Sequence, residues 1–147
     1  LLRSPVDPDP LADQGEHQFT YALLPHVNDW REETVKEAYE LNIPFTVVPV
    51  SHATGDMDSE GFFASTDAEN VILETVKLAE DSNEVVLRLF EAYGERKHVA
   101  IEFGFPVKQV WECDLMEEND KPVSCKDNTV ELFISPYEIR TLKIALK

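Results

Sequence analysis

From Val85 onward the chain repeats one device: short runs with apolar residues at every second position, separated by polar turns. A period of two is that of an extended strand with one buried face, and a helix cannot gather such a set onto one stripe. Val85, Leu87 and Leu89 alternate with Val86, Arg88 and Phe90, so both faces are partly apolar, as in an interior strand. Gly94–Lys97 reads as a hairpin turn into a returning strand whose face is Val99, Ile101, Phe103 and Phe105. Pro106 interrupts the pattern. Val107, Trp111, Cys113 and Leu115 then resume it, which predicts Trp111 as a core residue. After the polar turn at Glu117–Pro122 come Val130, Leu132 and Ile134, then a break at Ser135-Pro136, then Leu142, Ile144 and Leu146. Short strands with turns every ~8–12 residues are the mark of an antiparallel β-sandwich. The predicted fold is mostly β, an antiparallel β-sandwich with one short α-helix in the N-terminal third. Within it, Arg88 falls on the face opposite Glu91 and Tyr93, which reads as a satisfied structural contact rather than a catalytic cluster.

The helix is predicted over residues 30–41. Asp29-Trp-Arg-Glu32 has the spacing of a capping box, Val35, Ala38 and Leu41 share a side, and Asn42 with Pro44 ends the run. Phe45–Val50 reads as a short strand, with Pro49 suited to an edge. Residues 51–61 (SHATGDMDSEG) have no apolar period and read as an exposed linker. They place a sub-boundary at 51–64, between an N-terminal strand-helix-strand piece and a sandwich over 65–147. Residues 69–80 satisfy two periods. Ile72, Val76 and Ala79 would share a helical face, whereas Ile72, Val76 and Leu78 would share a strand face interrupted by Glu74. Composition alone leans towards helix there.

The opening stretch, RSPVDPDPLADQGEH over residues 3–17, is a stiff polar loop. Pro5, Pro8 and Pro10 lack N–H groups and fix φ, so it cannot be a central strand. Asp13-Gln14-Gly15 supplies a turn. Phe19, Tyr21 and Leu23 then alternate with Gln18, Thr20 and Ala22, which predicts a half-buried strand directly after the loop. A stiff loop that runs into a strand can hold side chains at fixed positions.

A net charge of −16 argues against nucleic acid and against anionic membrane surfaces as partners. No apolar run approaches the ~20 residues needed to cross a bilayer. Cys113 and Cys125 have no metal-site spacing and read as free thiols, consistent with a reducing, cytoplasmic compartment. His17, His26, His52 and His98 share no zinc-ligand spacing. Asp7, Asp9 and Asp13 fail the calcium-loop pattern because Leu11 stands at the fifth position. The start on Leu1-Leu2 reads as a piece cut from something larger.

The stretch LLRSPVDPDPLADQGEHQFTYALLPH resembles a segment of the C-terminal β region of glycoside hydrolase family 38 α-mannosidases, nearest the cytosolic and bacterial branch. Further blocks resemble that family in the same order: EAYELNIPF (37–45), NVILETVKLAED (70–81), LRLFEAYG (87–94), VWECDLMEEN (110–119) and SPYEIRTLKI (135–144). The resemblance covers nearly the whole chain and implies strand rather than helix at 69–80. It further implies that residues 1–147 are the C-terminal β region of a larger enzyme that hydrolyses terminal α-D-mannosyl residues.

By the same resemblance, the nucleophile and a zinc-like divalent metal belong to an N-terminal domain outside this chain. No catalytic or metal-binding residue is therefore assigned here. The implied partners are the remaining catalytic and helical domains of the same polypeptide and a mannose-containing oligosaccharide. The loop is the part that the resemblance brings near the sugar, with Arg3, Asp13, Gln14, Gly15, Glu16 and His17 as candidates for the substrate rim. Arg and Gln can donate to sugar hydroxyls and carboxylates can accept from them. Equally, Arg3 can pair with Asp7, Asp9 or Asp13, and His17 can cap a turn, so that the loop merely locks itself. A free-standing carbohydrate-binding or adhesion module is the other class of function open to such a sandwich.

Overall fold

The computed structural model describes residues 2–31, 33–51, 54–56 and 58–147. Helix α1 spans Thr34–Asn42. Nine strands follow: β1 Ala64–Thr66, β2 Val71–Leu78, β3 Val85–Glu91, β4 Lys97–Phe103, β5 Val107–Cys113, β6 Lys121–Val123, β7 Cys125–Lys126, β8 Thr129–Ile134 and β9 Ile139–Leu146. They form two antiparallel sheets, one ordered β1-β4-β8-β7 and the other β2-β3-β9-β5-β6. This is the expected mostly-β sandwich with one short helix. Its core is built from the predicted alternating sets: Leu87 and Leu89, Val99, Ile101 and Phe103, Val130 and Ile134, and Leu142 and Ile144 are all buried.

Residues 71–78 are a strand. The register slips at Glu74, so Val71 and Leu73 pair with Glu91 and Leu89, whereas Val76 and Leu78 pair with Leu87 and Val85. The bulge thus carries Val76 and Leu78 onto the face of Val71 rather than that of Ile72.

Several local expectations are corrected. The 92–96 connection is not a hairpin, because β3 and β4 lie in different sheets; it is a corner, and Gly94 takes φ +79° there. A second bulge, between Val107 and Gln109 on β5, reverses parity, so Val110 is fully buried in the core. Trp111 pairs with Lys143 and Cys113 with Thr141 on the opposite, outer face. Trp111 is accordingly half-buried outside the core, and Leu115 is exposed.

Helix α1 starts later than predicted. Asp29 accepts from the Arg31 N–H at 2.8 Å, but Glu33 precedes the helix without a side-chain cap, and no residue of α1 is buried. Asn42 ends it as expected. Glu32, the other half of the capping box, and His52 lie outside the described residues. The strands expected at 18–24 and 45–50 do not form, and these apolar segments lie exposed without strand partners among the described residues.

Candidate functional site

The opening loop folds upon itself. The Leu11 and Ala12 N–H groups donate to Asp9, at 2.9 Å to its side chain and 3.2 Å to its carbonyl. Asp13 sits at φ +58°, and its Oδ2 accepts from the Ser4 N–H at 3.0 Å, closing the loop. Gln14 Nε2 donates to the Pro10 carbonyl at 3.0 Å, and His17 Nε2 lies 3.0 Å from the Asp13 carbonyl. Gly15, at φ +123°, supplies the turn that only glycine adopts readily. The expected local locking is therefore real, and it brings Asp13, Gln14 and His17 together.

Locking uses only part of each side chain. Gln14 Oε1 and His17 Nδ1 stay clear of these bonds, and both residues are exposed. Arg3 and Glu16 are exposed and have no ion pair or side-chain hydrogen bond among the described residues, so the anticipated Arg3–Asp pairing is not formed. The loop is a preformed scaffold that presents a cation, carboxylates and neutral acceptors outward.

A second constellation, around the Glu91 expected to make a satisfied structural contact, lies at the sheet-switching corner. Glu91 ends β3 inside the sandwich, 1% exposed. Its Oε1 accepts from Asn70 Nδ2 and the Tyr93 N–H, both at 2.9 Å. Its Oε2 accepts from the Gly94 N–H at 2.7 Å and the Tyr137 N–H at 2.9 Å. Burial alone would raise its pKa, but these donors outweigh burial and lower it to about 2. One carboxylate thereby ties the lead into β2, the β3–β4 corner and the β8–β9 turn. The available signal was an acidic residue on the core parity of an apolar strand.

The corner also anchors the N-terminal segment. Arg31 Nε donates to the Tyr93 carbonyl at 3.1 Å, while its Nη1 pairs with Asp29 at 2.6 Å. Trp30 meets Tyr93 edge-on at a ring separation of 5.8 Å, and the Arg31 guanidinium lies 5.0 Å from the Trp30 ring centre. Among the described residues, no three His, Cys, Asp or Glu side chains gather as a metal site. None is therefore assigned to hold the divalent metal that the resemblance implies.

Residues 70–142 match the glycosyl hydrolases family 38 C-terminal beta sandwich domain, and the chain belongs to this family. It is similar to "Alpha-mannosidase 2C1" of Mus musculus, 38% identical over the whole chain, and of Homo sapiens, 37% identical. "Alpha-mannosidase G" of Dictyostelium discoideum is 35% identical over 97% of the chain. The chain spans 14% of the length of each of these relatives.

Proposed function

We propose that the chain is the C-terminal accessory β domain of an α-mannosidase that releases terminal α-D-mannosyl residues, and that residues 3–17 form part of the active-site rim. The similarity of the entire chain to α-mannosidases several times its length carries this reading. The catalytic carboxylates and the divalent metal then belong to the rest of that polypeptide, and the sandwich supports their surroundings. Arg3 and Glu16, and the remaining polar atoms of Asp13, Gln14 and His17 around Gly15, supply the sugar contacts. The stretch 51–64 divides this N-terminal piece from the sandwich. The enzyme works in the cytoplasm, in keeping with two free cysteines. A free-standing sugar-binding module finds no support: Trp30 is occupied by Arg31 and Tyr93, and Trp111 is half-buried.

The test is Arg3→Ala and Gln14→Ala in the full-length enzyme. A lost neutral hydrogen bond is worth ~0.5–1.5 kcal/mol and a charged one ~1.5–3, so kcat/KM should fall by about 2–10-fold for Gln14 and roughly 10-fold or more for Arg3. Circular dichroism and melting temperature should stay unchanged. Wild-type kinetics in both variants would remove the rim role.

A further inference from the structure

We infer that residues 18–24 and 43–50 are strands awaiting a sheet, and that the sheet belongs to the part of the longer polypeptide outside residues 1–147. Phe19, Tyr21 and Leu23 are 54%, 73% and 90% exposed, and Phe45, Val47 and Val50 are 97%, 86% and 84% exposed. Both segments lie in no strand ladder among the described residues. They are rich in aromatic and β-branched residues, which suit a pleated, half-buried surface.

Neither segment holds a single Asp, Glu, Lys or Arg, although such residues make up 29% of the chain. Permanently free edges carry charges or prolines that block pairing; 18–24 has neither, and 43–50 has no charge but carries Pro44 and Pro49, which suit it to the edge of a receiving sheet. Between the two segments runs α1, itself without a buried residue. Ala22, Leu23 and Leu24 line an open groove against Ala38 and Leu41 of that helix. The exposed apolar residues of the two segments thus flank α1, the first of them across a groove that also includes Thr34, Glu37 and Glu40 of the helix.

The choice of occupant follows from length and charge. The chain corresponds to 14% of each similar α-mannosidase, so a covalently joined partner several times larger is at hand. A second copy would bring a net charge of −16 against −16, which opposes self-association. Strand addition to an open sheet supplies main-chain hydrogen bonds to backbone groups that lack them here. This rests on the reading of the chain as part of a longer mannosidase.

The test is hydrogen exchange with mass spectrometry on the 147-residue chain, at low and high concentration, and on the full-length enzyme. Peptides over 18–24 and 43–50 should exchange within seconds in the chain and at least 100-fold more slowly in the full-length enzyme. Peptides over 85–103 should be protected in both. Leu23→Lys with Val47→Lys in the full-length enzyme should restore fast exchange at both segments while 85–103 stays protected. Equal fast exchange in chain and enzyme would overturn the inference. So would protection appearing in the chain alone at high concentration, which would make the occupant a second copy. Slow exchange together with unaltered kinetics in the Arg3 and Gln14 variants would remove the rim role and leave the strand insertion standing.

Discussion

Glu91→Gln is the substitution with the clearest consequence. The side chain keeps its size and one carbonyl oxygen, but an amide NH2 replaces one of the two acceptors. Whichever way the amide turns, two of the four donors from Asn70, Tyr93, Gly94 and Tyr137 face another donor. Each unsatisfied buried group costs ~1–3 kcal/mol, giving about 2–6 in all. The ionisation gives an independent figure. A carboxyl at about 2 when folded, against an ordinary value of 4.5, corresponds to ~3 kcal/mol of stability at neutral pH. The two agree at about 3 kcal/mol, or a fall in Tm of about 12 °C or more for a sandwich of this size.

The sign with pH follows from the direction of the shift. A depressed folded pKa stabilises fully above the unfolded value, and the benefit is lost as pH falls from 4.5 towards 2. Urea titrations should therefore place the variant ~3 kcal/mol below wild type at pH 7 but only ~1 below it at pH 3, where the unfolded carboxyl is already protonated while the folded one is still largely ionised. A variant within ~0.5 kcal/mol of wild type at pH 7 would refute the four-donor account, 0.5 being the usual scatter of surface changes. A gap of equal size at both pH values would refute the role of ionisation.

Gly94→Ala forces a side chain into φ +79° with its Cβ 2.7 Å from the Tyr137 hydroxyl oxygen. A loss of ~1–2 kcal/mol should persist in a Tyr137→Ala background, and its disappearance there would assign the cost to the contact alone. Trp111→Ala, on the outer face, should cost about 2 kcal/mol rather than the ~3–5 of a fully buried aromatic; a denaturant-measured loss of 4 or more would return the indole to the core. The 147-residue chain by itself should not turn over an aryl α-mannoside with added divalent metals, and activity surviving repurification would contradict that.

What was legible in the sequence is what period two can express. The sets at 85–89, 99–103, 130–134 and 142–144 carry the core as written, because each lies in an unbulged strand or stretch. The errors at Trp111 and Ile72 share one cause: a bulge in β5 and another in β2 each insert a residue and flip every side chain beyond it. Nothing in the local alternation announces such an insertion. Strand rather than helix at 71–78 came from resemblance, since its spacing fits both periods. In the candidate rim, proline and glycine positions foretold a stiff loop, while the particular acceptors of Gln14 and His17 depend on a closure that only coordinates reveal. Glu91 was visible as an acid on a core-facing position, but its donors come from segments up to 46 residues away.

The two N-terminal segments that read as strands and lie open are a different matter from the bulges. Alternation specifies a surface that needs cover; it is silent on which part of a polypeptide provides it. Within residues 64–147 the cover is internal, because two sheets face each other. Residues 18–24 and 43–50 pair with neither sheet among the described residues, and the segment is tied to the sandwich at Trp30 and Arg31 against Tyr93. That tie sits on the corner organised by Glu91, through the N–H and carbonyl of the same Tyr93 residue. The sandwich thus holds this segment near its middle, between residues 18–24 and 43–50. The buried carboxylate thus reaches the N-terminal segment through one run of contacts: Glu91 accepts from the Tyr93 N–H, and Arg31, between the opening loop and α1 in the chain, donates to the Tyr93 carbonyl.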